Sequence, residues 1–314
     1  MKFFARRVAQ ALFVLWAAYT VSFVILYMLP GDPVSVLAGT EAGRDITPEQ
    51  LDALRHEYGL DRPVTVQYFV RLGQVVRGDF GRSVQSHQPV QTMIADALPA
   101  TAQIAGLGLL LAVVFGAGLA LPATYVSWGW LRQTLLSLPP LGVAIPSFWF
   151  GLLLLQVFSF KLGLFPVVGN EGFASVVLPA VTLALPSAAT IAQLLAKSMS
   201  ATLREPYIET ARAKGAGRPR IHLRHAVRNA ALPALTVAGL VVGNLLAGAV
   251  VTETVFSRTG LGRVTALAVT TQDIPVVQGL VVFAALVFVL VNLAVDLVYP
   301  LLDPRIARPS ATAS

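Results

Sequence analysis

Apolar and polar positions follow one another along this chain in long blocks rather than in short periods. Six runs, near 9–29, 97–122, 134–158, 176–197, 231–252 and 276–300, are almost continuously apolar. Each has about the 20 residues a helix needs to cross ~30 Å of hydrocarbon, so the pattern predicts six membrane-spanning helices. The polar stretch between the first two, 31–96, is too long for a simple connector and must have structure of its own or a partner. Within it, Thr47-Pro-Glu-Gln50 sets a hydroxyl at a cap position three residues before an amide, which predicts a short helix through Tyr58. A second helix is predicted over 65–76, with Val66, Phe69, Val70 and Gly73 on one face.

The segment 198–230 breaks the pattern: it is polar and basic, and it sits between the fourth and fifth runs. Pro206 suits a first helical position, where its missing N–H would be unpaired anyway, and Glu209 places negative charge near the positive end of the helix dipole. Arg212 and Lys214 fall near the other end, and Gly215 can take the left-handed conformation that closes a helix. A short helix of about ten residues is therefore predicted to stop at Gly215. Pro219 offers a second start, after which Arg220, Arg224 and Arg228 recur every four residues and line one face. Two short helices joined at a glycine make a compact knob.

Composition agrees with a bilayer setting. Of 314 residues, 55% are apolar and 12% charged, and the mean hydropathy is +0.70, too oily for a soluble domain of this size. The first apolar run follows Lys2, Arg6 and Arg7 like a signal peptide, but it is longer than a usual signal core and ends in Leu29-Pro-Gly-Asp-Pro33 without a small-residue cleavage site. An uncleaved span is predicted. With the N-terminus in the cytoplasm, 14 of the 23 Lys and Arg residues fall on the cytoplasmic side and 12 of the 16 acidic residues on the other. That asymmetry predicts both termini, and the basic knob, inside. The net charge of +7 would suit nucleic acid, yet the basic residues cluster at the ends of apolar runs, so no nucleic-acid partner is expected. The chain has no cysteine, which excludes disulfides, thiol catalysis and thiolate metal sites.

Glu209-Thr-Ala211, Gly215, Ile221 and Leu232-Pro233 resemble the EAA loop by which permease subunits of binding-protein-dependent ABC importers dock onto a separate ATPase. A longer set is more specific: Gly59-Leu-Asp-Arg-Pro-Val-Thr-Val-Gln-Tyr68, Arg77-Gly-Asp-Phe-Gly-Arg-Ser83, Leu98-Pro-Ala-Thr101, Glu253-Thr-Val-Phe-Ser-Arg-Thr-Gly-Leu-Gly262, Gln272-Asp-Ile-Pro275 and Asp303-Pro-Arg-Ile306. Together with Leu29–Pro33 these resemble the B-type permease subunit of dipeptide and oligopeptide ABC importers over nearly the whole chain. Two departures stand out: Thr259 where that family has proline, and Gln193, Ala196 and Lys197 where members often carry arginines.

The resemblance implies an all-α, type I importer permease in the prokaryotic inner membrane. Its parts would be a cytoplasmic N-terminus and first span (1–30), an extracytoplasmic loop (31–96), a permease core (97–302, with the coupling loop 198–230) and a cytoplasmic tail (303–314). It implies a second homologous permease, two cytoplasmic ATPases that hold the ATP and Mg, an extracytoplasmic solute-binding protein and a di- or oligopeptide substrate; nickel and glutathione are carried by relatives. It also implies that Tyr207, Glu209, Ala211, Lys214, Gly215, Arg218 and His225 couple to the ATPases, and that Asp79, Gly81 and Ser83 belong to a docking and lid surface for the binding protein.

The absences point the same way. No Gly-x-x-x-x-Gly-Lys-Ser/Thr loop occurs, so the chain is not expected to hydrolyse ATP or to be an enzyme. His56, His87, His222 and His225 all fall in loops, with no metal-binding spacing; His222 and His225 are read as a polar face toward a partner or headgroups. An ion-coupled secondary transporter is the rival class, but it would need ionisable residues at mid-membrane, and spans two to five contain no charged residue between Pro99 and Leu195. Asp296 in the last run has no twin, and Ser147 has no in-membrane histidine beside it. Gln103, Gln156, Gln193, Asn244 and Asn292 are amides within the spans, serving either as interhelical bonds or as pathway lining. Asn244, flanked by Gly239, Gly243 and Ala247, is the foremost pathway candidate, followed by Gln156 and Glu253, although the same small-residue face would equally suit a subunit interface. Pro139, Pro140, Pro146, Pro179 and Pro186 are expected breaks in the helices.

Overall fold

A computed structural model describes residues 2–28, 56 and 61–302. The predicted helix from Thr47 to Tyr58, the Leu29–Pro33 turn and the tail with Asp303–Ile306 lie outside the described residues. The described residues form helices α1 (Lys2–Met28), α2 (Val64–Val76), α3 (Val90–Tyr125), α4 (Gly129–Ala144), α5 (Ser147–Leu154), α6 (Ala174–Thr202), α7 (Pro206–Ala213), α8 (Arg218–Arg220), α9 (Val227–Thr236), α10 (Ala238–Val255), α11 (Leu261–Thr270) and α12 (Ile274–Leu302). Wider π turns extend α5 over Leu155–Lys161 and join α8 to α9 over Ile221–Ala226. Among the described residues there is no strand, only an isolated bridge between Arg82 and Pro89.

The described residues divide into two compact units, one falling within 1–99 and 259–289, the other within 100–258 and from 290 onward. In the first unit, Tyr19 and Phe23 on the C-terminal half of α1 are buried against Tyr68, Leu72 and Val75 of α2 and Val282 of α12. The Tyr19 hydroxyl donates to the Tyr68 carbonyl at 2.9 Å, and the Tyr68 and Thr20 hydroxyls pair at 2.8 Å. A second cluster joins the first turns of α3 (Val90, Ile94, Ala97) to Leu261, Ala268, Val276 and Leu280. Gly279 makes that seam possible, since a Cβ there would stand 2.7 Å from Val90 Cγ1 and 3.2 Å from Phe80 Cβ. The predicted face of α2 is real but faces outward: Val66, Phe69 and Val70 are exposed while Tyr68 and Leu72 pack inward.

The second unit is built around α6, of whose 29 residues 15 are buried; α4, α5, α9 and α10 all pack on it. Small residues set how closely α3 approaches: a Cβ on Gly116 would meet Ile191 Cγ2 at 2.8 Å and the Ala188 carbonyl at 2.9 Å. Of the five prolines expected to break helices, only Pro146 does so, at the turn of 100° between α4 and α5. Pro139 and Pro140 sit inside α4, and Pro179 and Pro186 inside α6. A proline is tolerated within a helix when another donor satisfies the carbonyl its missing N–H leaves open. Arg258 does this for Pro179: its Nη1 donates to the Ser175 carbonyl, four residues before the proline, at 2.9 Å, and to Ser175 Oγ at 3.0 Å.

Among the described residues, four helices are long and apolar enough to cross a membrane: Arg6–Tyr27, Val90–Tyr125, Ala174–Thr202 and Ile274–Val295. The bent pair Gly129–Ala144 and Ser147–Lys161 makes five if it counts as one span. The fifth predicted run, 231–252, is instead shared between α9 and α10, and its apolar part Leu240–Val255 is short for a span.

Candidate functional site

The basic segment folds as the predicted knob, and its closing turn can be followed bond by bond. Helix α7 begins with Pro206 after the extended Glu205 and carries Glu209 in its first turn. It ends at Ala213, two residues before Gly215. The Gly215 N–H donates to the Arg212 carbonyl at 2.9 Å and the Ala216 N–H to the Ala211 carbonyl at 3.1 Å, with Gly215 at φ +81°. This is the paired-bond helix stop that requires a left-handed residue. The next helix starts one residue earlier than predicted, because Gly217 rather than Arg218 is the cap and its carbonyl accepts from the Ile221 N–H at 3.1 Å.

Two apolar residues root the knob: Ile208 is fully buried and Ile221 nearly so. Beneath them Ala226 and Ala230 pack with Ala120 of α3 and with Leu195, Ala196 and Met199 of α6. Its two helices are fastened by Tyr207, whose hydroxyl accepts from Asn229 Nδ2 at 2.7 Å and donates to the His225 carbonyl at 3.5 Å. Glu209, Arg212, Lys214, Arg220, Arg224 and Arg228 remain exposed. All seven predicted coupling residues thus lie in one small body, with the charges outward and Ile208 and Ile221 inward, while Leu223 stays exposed.

His222 departs from the expectation of an outward polar face. It is 4% exposed and lies against the end of α3, with Nε2 at 3.1 Å from the Leu121 carbonyl and 3.2 Å from Thr124 Oγ1. Burial first, and then the Arg218 charge, push its pKa below the ordinary histidine value. Arg218 turns the same way: Nη2 donates to the Tyr125 carbonyl at 2.6 Å and the guanidinium stands 5.1 Å from the centre of the Tyr125 ring. The four-residue spacing of Arg218 and His222 was the available signal in sequence; nothing there showed that α3 would lie on that face.

The predicted lid residues also fold into one turn. The Gly81 N–H donates to Asp79 Oδ1 at 2.9 Å, and Gly78 and Gly81 both have φ +81°. Ser83 is 1% exposed, so it shapes this turn instead of presenting itself to a partner: its Oγ donates to Asp273 Oδ2 at 2.5 Å, and the Val84 N–H donates to Asp273 Oδ1 at 3.2 Å. The three pathway candidates are not alike. Asn244 and Gln156 are exposed in the single chain, whereas Glu253 is fully buried and its Oε1 accepts from Thr101 Oγ1 at 2.6 Å. Arg258, also fully buried, was not singled out from sequence. Burial lowers its pKa from the ordinary arginine value and the Glu253 carboxylate draws it back up.

The described residues are thus helical, with apolar helices long enough to cross a membrane and an exposed basic knob between α6 and α9. The family model for the binding-protein-dependent transport system inner membrane component matches residues 108–308, and the corresponding N-terminal family model matches residues 1–105. The chain belongs to this family. Such an inner membrane component is a transport permease subunit and not an enzyme, and it works with an ATPase and a substrate-binding protein. This permease is 37% identical over 309 residues to a protein of Brucella suis biovar 1 named as a peptide transport system permease, covering 96% of this chain and 97% of that one. It is 36% identical over 284 residues to the glutathione transport system permease protein GsiC of Salmonella choleraesuis, covering 90% and 92%. In fold it resembles a chain of the MetNI methionine ABC transporter, with a TM-score of 0.58 at 16% identity, covering 67% of this permease and 96% of that chain. The type I importer fold is thereby established.

Proposed function

We propose that this permease forms half of the pathway of an ATP-driven importer of di- or oligopeptides. The other half is a second homologous permease, and two cytoplasmic ATPases, which bind ATP and Mg, grip the 206–228 knobs of the pair. Six spans, with α9 and α10 together supplying the fifth, and both termini in the cytoplasm would place the knob beside those ATPases and the 31–96 loop toward the binding protein. The observation that carries the reading is the knob itself: its charged residues are exposed together with Tyr207 and Leu223, its buried alanines are rooted between α3 and α6, and a glycine-closed turn fixes the angle between its helices. ATP-driven closure of the ATPases would draw two such knobs together and switch the cavity between outward and inward states. The peptide substrate is supported by the relatives named above, glutathione being itself a short peptide. The Gly-Asp-Phe-Gly-Arg-Ser turn, fixed by Asp273, is the firm part of the surface offered to the binding protein.

The test is uptake of a labelled oligopeptide into vesicles holding the assembled complex. Uptake should require internal ATP and persist when the proton gradient is collapsed. Loss of uptake on adding a protonophore at constant ATP would instead support an ion-coupled carrier, and ATP hydrolysis by this chain free of other subunits would refute the division of labour.

A further inference from the structure

The knob is joined covalently to α6 through residues 203–205 and runs on directly into α9 and α10. A push on it reaches those helices through the backbone. Helix α3 packs on the knob as well, through Ala120 and partly buried Ala117 and Leu121, but no nearby chain connection links them. Any displacement of α3 with the knob must pass through side chains.

The last turn of α3 is where donors of the knob converge. The carbonyls at a helix end lack partners within the helix, and cations are favoured there. Arg218 supplies a charge-assisted bond to the Tyr125 carbonyl and a guanidinium over its ring. One turn further on, His222 reaches the Leu121 carbonyl, and the Tyr125 ring meets the imidazole edge-on with centres 5.3 Å apart. Because a carbonyl only accepts, this bond requires the proton on Nε2. Thr124 agrees with that tautomer, since its own hydroxyl donates to the Ala120 carbonyl at 2.9 Å and leaves a lone pair toward Nε2.

We propose that His222, with Arg218, is a transmission clasp that makes α3 move with the knob. This rests on the coupling reading above. His222 is nearly without exposed surface, so its removal can reach the ATPases only through position, not through a lost contact. His222 itself lies in the stem of the knob, Ile221–Ala226, which is a π turn, a form common at functional sites.

The experiment uses the whole complex, with its ATPases and binding protein, reconstituted in proteoliposomes. His222→Ala should keep wild-type amounts of ATPase and wild-type basal hydrolysis but lose about tenfold in substrate moved per ATP, the scale of one strong hydrogen bond. His222→Gln restores an N–H near the Nε2 position and should recover coupling to within about twofold. A merely structural role would lower transport and hydrolysis together, and an unchanged ratio in assembled His222→Ala would overturn the clasp. Should His222→Ala fail to assemble, a second pair decides. The chain has no cysteine, so Tyr125→Cys with Arg218→Cys, exposed positions of the same contact that leave His222 in place, can be joined by a short bismaleimide. Cross-linking should raise transport per ATP, whereas a cross-linked complex that hydrolyses ATP without transport would show that the contact must open each cycle and would also overturn the clasp. The coupling reading fails separately, if altering the exposed face by Glu209→Lys and the turn by Gly215→Val leaves both ATPase binding and coupling intact.

Discussion

Substitution of Gly215 isolates the geometry of the knob from its chemistry. At φ +81° an L-residue with a Cβ costs ~1–2 kcal/mol, less for asparagine, which tolerates this region, and more for β-branched valine. No heavy atom lies within 4 Å of the place a Cβ would occupy, so neither a clash nor new packing alters that figure. The alternative to bearing the strain is to open the turn, losing the bonds from Gly215 to Arg212 and from Ala216 to Ala211. At ~0.5–1.5 kcal/mol net each, these hold the turn by about the amount alanine would cost. Alanine should therefore leave the two arrangements comparably populated, asparagine should keep the native one, and valine should release it. The assay is substrate moved per ATP in reconstituted complexes, read beside co-purification of the ATPases, with the expected order Gly, Asn, Ala, Val. All variants should insert in the membrane. If valine transports at the wild-type ratio with ATPases bound, the turn does not set the coupling geometry. If asparagine is as damaging as valine, the exposed surface at 215 matters and the backbone does not. Glu209→Lys, which only opposes the helix dipole, should cost less, ~0.3–1 kcal/mol, unless the ATPase touches that carboxylate.

Gly116→Ala should destabilise the assembled permease by ~1–3 kcal/mol, because its Cβ meets the Ala188 backbone carbonyl and Ile191. Gly118→Ala, with open space around it, should be neutral or slightly stabilising, so thermal unfolding in nanodiscs separates packing from propensity. His222 has a depressed pKa in the fold, so the folded state holds the neutral ring; the stability it lends is present above the unfolded value of about 6.5 and declines as pH falls below it. Thermal stability in nanodiscs should therefore fall more steeply below about pH 6.5 in the wild type than in His222→Gln, and parallel profiles would refute the buried neutral ring. Ser83→Ala should remove a bond to a buried carboxylate, ~1.5–3 kcal/mol, and raise amide exchange at Val84 and Gln85; unchanged exchange would show that Asp273 holds the turn without Ser83.

What the sequence determined by itself was whatever depends on local order. Blocks of apolar residues marked the membrane helices, because each must satisfy its backbone internally and cover its length in hydrocarbon. The Pro206–Gly215 spacing marked a helix and its stop, since proline, dipole and left-handed glycine all act within a few residues. Motif spacing gave the family, and with it the need for an ATPase and a binding protein.

The tertiary structure decided everything that depends on which faces meet. It turned His222 inward onto α3, since a burial direction is set by the neighbour and not by the residue. It placed Ser83 on Asp273, 190 residues away, and seated Glu253 on Thr101, so that neither side chain faces solvent in this chain. It kept α6 unbroken at Pro179 by bringing a guanidinium from residue 258 to the carbonyl that proline leaves open, and it let α2 show its apolar face outward while tyrosine and leucine packed inward. In each case the interaction joins residues far apart in the chain, and no local pattern carries that information.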